Sequence, residues 1–122
     1  MTIKEAGIMA IIVNPSHAPE RQSSTMMHEI SHIILKHVAV RVDLSQTGIM
    51  LVSEYSEDDE GEADWLAGTL LLPRDTIKHY RELGMTSTQI ARLFGVSNQM
   101  CEWRIRMTGI EVQMRRSKAS AH

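Results

Sequence analysis

The chain has 122 residues, of which 43% are apolar and 23% are charged, a composition typical of a soluble globular protein with one core. Its formal net charge is -2, and it has neither a signal-peptide pattern nor a membrane-length apolar run, so a secreted or membrane-spanning protein is not expected. Because Cys101 is the single cysteine, no disulfide can form within one chain, which predicts a reducing, cytoplasmic location.

The charged residues are unevenly distributed along the chain. Between Asp43 and Pro73 there is no Lys or Arg, and acidic residues crowd positions 54–64. After Pro73, nine Lys or Arg residues stand against four acidic ones. The basic part could therefore meet DNA or an acidic partner.

In chain order, the first half alternates between strand and helix patterns. Residues 16–24 are predicted to be a loop, and Ser23 or Ser24 could cap a helix in which isoleucines recur at helical spacing from Ile30. Three short β-rich segments are predicted to be strands: 8–13, 38–44 and, after Gly48, 49–53.

The second half is predicted to be helical. A helix from about Glu57 to Leu72 is stopped by Pro73, and a shorter one over 75–83 ends before Gly84. The sequence thus predicts an α+β fold, with a small β-sheet packed on the helices of the first half and a helical C-terminal part.

Residues 86–109 have two further helix starts. Thr86 with Gln89 forms a capping-box pattern, Gly95 ends that helix, and Ser97 can cap another that runs to about Thr108. The spacing resembles a helix-turn-helix, which makes a DNA-binding regulator an alternative function. Against it, the second helix has an apolar face better suited to packing, and Arg104 stands where that motif usually has an aliphatic residue.

Residues 1–112 are predicted to form a single domain, with 86–109 as its helix-turn-helix-like part. The last residues, "RRSKASAH", lack apolar periodicity. Residues 113–122 are therefore expected to be a flexible tail.

The stretch "MMHEISHIILKH", residues 26–37, carries the clearest chemical pattern. On a helix, His28 and His32 lie about 40° apart in projection and can present ring nitrogens to one ion, while Glu29 can reach a water without binding the ion. Zinc hydrolases need such imidazole ligands, an open coordination position and a carboxylate that accepts a proton. The plain alternative is a half-exposed helix with two solvated histidines.

A third ligand is expected from "EGEADWLAGTLLLP", residues 60–73. Glu60 and Asp64 share a helix face with small alanines, so Glu60 could bind zinc and Asp64 could accept a hydrogen bond from a ligand histidine. Glu62 points about 200° away from Glu60 and is the weaker alternative ligand. The competing explanation is that these acidic residues simply form the solvated start of a helix. That explanation accounts poorly for Asp64, because Asp64 lies inside an apolar helix.

These motifs, in this order, resemble the ImmA/IrrE family of zinc metallopeptidases. The matching stretches are "HEISHIILKH", "EGEADWLAGTLLLPRD" and "TSTQIARLFGVSNQMCEWRIRMTG". The resemblance implies a zincin-like fold, one zinc per chain held by His28, His32 and Glu60, and Glu29 as the catalytic residue. It also implies a protein substrate, a helix-turn-helix repressor of a mobile element or stress regulon.

Several roles stay open in the sequence. Tyr55 and Tyr80 are possible donors to the oxyanion of a peptidase intermediate. His37 is expected to be a surface or cap histidine rather than a ligand. A non-catalytic metal-bound interaction module is a third function class. No specific nucleic acid and no membrane is expected as a partner, and the oligomeric state is not predicted.

Overall fold

Four short strands form one antiparallel sheet in the first half of the chain. The computed structural model describes residues 2–5, 8–44 and 50–120. The strands are β1 (Thr2–Glu5), β2 (Ile8–Ile11), β3 (Arg41–Leu44) and β4 (Met50–Glu54), and they lie in the order β2-β1-β4-β3. In the register, Thr2 pairs with Ile11 on one side and with Val52 on the other.

The sheet confirms the α+β prediction and corrects its details. Strand β1 was not predicted, and β3 starts at Arg41 rather than at residue 38. Gly48 and residue 49, the predicted start of the last strand, lie outside the described residues. The central strand β1 is thus the element that the sequence analysis missed.

Helix α1 (Pro19–Ile34) starts earlier than predicted. Its N-cap is Ala18, which provides no side-chain hydrogen bond, and Pro19 occupies the first helical position. Proline suits that position because its fixed φ is already helical and its missing N–H has no helical partner to lose. The predicted caps Ser23 and Ser24 therefore lie inside the helix, and the predicted loop over 16–24 is wrong beyond Ala18.

Helix α2 (Glu57–Leu71) follows β4 and ends before Pro73, as predicted. Four acidic residues occupy its first turn, where the positive end of the helix dipole favours them. Ala63 and Ala67 are buried on this helix. The contacts of the chain divide it within α2 into two compact units, one ending at Ala67 and the other starting at Gly68.

The second unit is helical, with α3 (Arg74–Glu82), α4 (Ser87–Phe94), α5 (Asn98–Thr108) and α6 (Ile110–Ser120). The predicted capping box of Thr86 and Gln89 is formed, and Gly95 ends α4 with a left-handed φ of 66°. The Ser97 side chain caps α5. The buried core of this unit consists of Leu72, Ile77, Ile90, Ala91, Val96, Cys101, Ile105 and Ile110.

Helix α6 was not predicted, and it extends into residues 113–122, which were expected to be a flexible tail. The described part of the predicted tail, up to Ser120, is helical, and Ile110 at its start is fully buried. A basic, weakly amphipathic sequence gives little helical signal by itself, so burial of the first turn decides its structure. Tail flexibility is a separate property, which a helix assignment does not measure, and it stays a prediction.

Arg104 is a structural residue of the second unit. It is 2% exposed, and its Nε and Nη2 atoms donate to the carbonyl oxygen of Leu72 at 3.1 and 2.9 Å. Burial lowers the pKa of its guanidinium. Arg104 therefore hydrogen-bonds the backbone just after α2, and its buried guanidinium is not available to contact a nucleic acid. Among the described residues, no helix is both long and apolar enough to cross a membrane.

Gly68 should be required for packing of the second unit. A Cβ at this position would lie 2.7 Å from both Arg104 Cδ and Trp103 Cζ3. Gly68→Ala should therefore lower the free energy of unfolding by about 1–3 kcal/mol, because the anchored Arg104 cannot move freely. Chemical denaturation measures the change.

Gly61→Ala, on the same helix, is the matched control. A Cβ there meets nothing within 4 Å, so this variant should gain about 0.5–1 kcal/mol from helix propensity. Equal effects of the two substitutions would contradict the packing argument.

Candidate metal centre

Three side chains from two helices converge on one point in the first unit. His28 and His32 come from successive turns of α1, and Glu60 comes from the first turn of α2. The Nε2 atom of His28 lies 3.0 Å from Glu60 Oε2, and that of His32 lies 3.1 Å from Glu60 Oε1. The two Nε2 atoms are 3.1 Å apart. These three donors lie within 4.8 Å of one another, the spread expected of ligands to one ion.

Asp64 fixes the proton position on His28. Its Oδ1 atom lies 2.8 Å from Nδ1 of His28, one helical turn beyond Glu60. Since an ionised carboxylate can only accept, Nδ1 carries the proton and donates it to Asp64. With Nδ1 engaged in this way, Nε2 is the ring nitrogen of His28 that faces Glu60, the arrangement that a metal ligand requires.

The donor set fits a divalent cation. Two imidazole nitrogens and a carboxylate, all electron-rich, can share this space only around positive charge, supplied by a proton or a metal ion. A proton can be shared within one donor–acceptor pair only, whereas a divalent ion can be coordinated by all three groups at once. Extra protonation of His32 is disfavoured, because burial, followed by the charge of His28, lowers its pKa against the opposing effect of Glu60 and Glu29.

Glu29 is anchored by a residue that the sequence analysis did not single out. The Thr2 hydroxyl on β1 donates to Glu29 Oε2 at 2.8 Å, and Thr2 is 1% exposed. The negative charge of Glu29 also partly opposes the lowering of the His32 pKa by burial. No pattern in the sequence could have found Thr2, because the contact joins residues 27 positions apart across a strand and a helix.

Tyr55 stacks on the buried ligand candidate His32. The ring centroids are 3.7 Å apart and the planes differ by 7°. Burial raises the pKa of Tyr55, and the negative charges of three carboxylates raise it further: Glu29, Glu60 and Asp59. The phenol therefore remains protonated, and a hydrogen-bond donor, throughout the neutral range.

Tyr80, the other tyrosine proposed as an oxyanion donor, belongs to the second unit. Its ring contacts His79 and Phe94 at centroid distances of 5.0 and 5.5 Å. It packs against the core of that unit. Tyr55 is thus the tyrosine that shares a unit with His32.

Glu62 lies beside His37 and not beside the His28–His32 pair. Its Oε2 atom is 3.0 Å from His37 Nε2, and Asp59 Oδ1 is 3.5 Å from the same nitrogen. The other ring nitrogen of His37 lies 2.9 Å from His32 Nδ1. The side chain of His37 is 6% exposed, so His37 is not a surface histidine. Its backbone N–H donates to His32 O at the end of α1, which fits the alternative expectation of a cap histidine.

One comparison with known protein families found a match. A family model described as an IrrE N-terminal-like domain, Peptidase_M78, matches residues 3–106. No curated protein and no solved structure matches the chain significantly. The matched region contains both helices that carry the convergent donors.

The convergent donors should bind about one zinc ion per chain, since two imidazoles and a carboxylate leave one position open. His28→Ala and His32→Ala should abolish binding and Glu60→Ala should weaken it severely. Glu62→Ala should keep most of its zinc. Elemental analysis after dialysis measures the metal content. Full retention in Glu60→Ala together with loss in Glu62→Ala would show that Glu62 is the ligand.

Proposed function

The chain belongs to the IrrE N-terminal-like family of metallopeptidases, and from that premise we propose that it is a zinc-dependent endopeptidase. The observation that carries the proposal is the convergence of His28 Nε2, His32 Nε2 and the Glu60 carboxylate. Bound zinc would supply Lewis acidity, which polarises the scissile carbonyl and acidifies the attacking water. All other chemistry then falls to side chains of this chain.

Glu29 is the proposed general base. It neighbours the ligand His28 along α1 but points one step round the helix, so it can accept a proton from the attacking water. The hydrogen bond from Thr2 holds one carboxylate oxygen in place. The same carboxyl group then delivers the proton to the leaving amine, which completes peptide hydrolysis without a covalent enzyme intermediate.

Tyr55 is the proposed donor to the oxyanion. Its stacking on His32 ties the ring to the metal centre, and its raised pKa keeps the hydroxyl protonated. A fixed donor of this kind stabilises negative charge that develops on the carbonyl oxygen as water adds.

We propose a protein substrate, by resemblance a helix-turn-helix repressor of a mobile element or stress regulon. A cavity of about 400 Å³, which is lined by His32 and Tyr55 but not by His28, Glu29 or Glu60, is proposed to hold a substrate side chain beside the metal centre. Its lining includes the apolar residues Met9, Ile33 and Val42 together with Lys4 and Lys36. Such a surface suits an extended peptide with apolar and acidic side chains. We also propose a cytoplasmic location. No specific nucleic acid is proposed as a partner.

Glu29→Gln should keep zinc and fold but lose peptidase activity. Glutamine can hydrogen-bond the water and cannot accept its proton, so the rate should fall at least about 10²- to 10⁴-fold. The assay is cleavage of a candidate helix-turn-helix repressor, with both proteins expressed together in cells, alongside zinc content and thermal melting. Cleavage at the wild-type rate would refute the mechanism, and loss of zinc would place Glu29 among the ligands.

Tyr55→Phe should retain zinc, because the aromatic stacking on His32 is preserved. Its kcat should fall about 10²-fold with little change in KM, the effect expected for loss of one oxyanion donor. Tyr80→Phe is the matched control and should leave kcat unchanged. If Tyr55→Phe has the wild-type kcat, Tyr55 is not the donor to the oxyanion.

A further inference from the structure

The backbone turns back at the end of helix α1, so that His37 lies against His32. Lys36 has a left-handed φ of 56°, and two backbone bonds close the helix end, from His37 N to His32 O and from Lys36 N to Ile33 O. This pattern is a Schellman motif, usually built on glycine. A non-glycine residue with positive φ costs free energy, which marks the turn as one held by its surroundings.

His37 connects His32 to carboxylates on α2. Its Nδ1 atom lies 2.9 Å from His32 Nδ1. Its Nε2 atom lies 3.0 Å from Glu62 and 3.5 Å from Asp59. The His37 side chain is 6% exposed and His32 is 1% exposed, so their contact is made largely out of water, where hydrogen bonds polarise one another most strongly. The Glu62 carboxylate at the other end of this chain of contacts is exposed.

The proposed ligand role of His32 determines where the protons lie in this chain of contacts. If Nε2 of His32 binds the ion, its Nδ1 carries the ring proton and must donate. His37 Nδ1 therefore accepts, which leaves the proton of His37 on Nε2. That proton is donated to Glu62, with Asp59 adding negative charge nearby. Every contact then joins one donor to one acceptor.

We infer that His37 is a positioning residue for the metal ligand His32, and that Glu62 in turn orients His37. The inference rests on the proposed ligand set. The carboxylate makes His37 a stronger acceptor, and His37 in turn fixes the ring rotation of His32 and makes its Nε2 a stronger ligand. Partners of this kind typically change metal affinity about 10- to 100-fold.

A second ion held by His37, Asp59 and Glu62 is the rival explanation, because these three side chains also offer donors within 4.8 Å. Such an ion needs the lone pair of His37 Nε2, which moves the proton to Nδ1. Two Nδ1–H groups would then face each other at 2.9 Å. Occupation of both sites by neutral imidazoles is therefore unfavourable, and the positioning role is favoured.

The test is zinc affinity, measured by competition with a chromophoric chelator on the full chain. His37→Phe keeps the ring volume and removes the acceptor, so zinc affinity should fall about 10- to 100-fold. His37→Asn restores a side-chain acceptor and should recover part of this loss. With Co²⁺ as the probe, His37→Phe should also shift the visible absorption bands, whereas a purely structural role would leave the bands of the bound ion unchanged.

Glu62→Gln provides a second, independent variant. Its side chain is 61% exposed, so the substitution leaves packing intact. Zinc affinity should fall by less than in His37→Phe, and the double variant should match His37→Phe, because Glu62 acts through His37. Glu57→Gln removes an exposed acid from the first turn of the same helix and is the charge control, with affinity expected within about twofold of wild type.

Four results would overturn the inference. Wild-type affinity in both His37→Phe and Glu62→Gln would remove His37 from the site while leaving the proposed peptidase intact. A Glu62→Gln effect that persists in the His37→Phe background would show a general charge effect. A second zinc that is lost in His37→Phe would establish the rival ion site. Absence of zinc binding by the wild type would instead refute the proposed ligand set itself.

Discussion

A buried imidazole must find partners for both of its ring nitrogens within the protein, and His32 imposes this constraint on the first unit. At 1% exposure, it has no access to bulk water. One nitrogen faces His28 and Glu60, the other faces His37, and the ring stacks on Tyr55. His32 thus contacts side chains from helix α1, from the turn after it and from the start of α2.

The same constraint accounts for the positions of the acidic residues at the start of α2. Acids at a helix N-terminus are favourable by themselves, so the cluster has an ordinary explanation that needs no metal. The structure assigns its members different neighbours: Glu60 and Asp64 contact His28, whereas Asp59 and Glu62 contact His37. Different positions round one helix thus contact two neighbouring imidazoles, and a single carboxylate-rich segment provides both the candidate metal ligand Glu60 and hydrogen-bond acceptors.

The local signals of the sequence predicted much of the fold and the core of the candidate site. Proline, capping residues and glycines predicted the approximate bounds of α3, α4 and α5, because these boundaries depend on contacts within a few residues. The histidine spacing, four residues apart, predicted that His28 and His32 share a helix face. Helical periodicity also predicted which acid, Glu60, would share a face with Asp64.

The remaining features depend on contacts between distant segments, and only the tertiary structure decided them. Strand β1 has little pattern of its own and is placed by pairing on both of its edges. The contact of Thr2 with Glu29 needs that strand, and the burial of His37 needs a left-handed Lys36 that no residue type signals. The sequence by itself determined the chemical groups and their helix faces, since periodicity is local. It did not determine which groups lie in contact across elements, because that depends on burial.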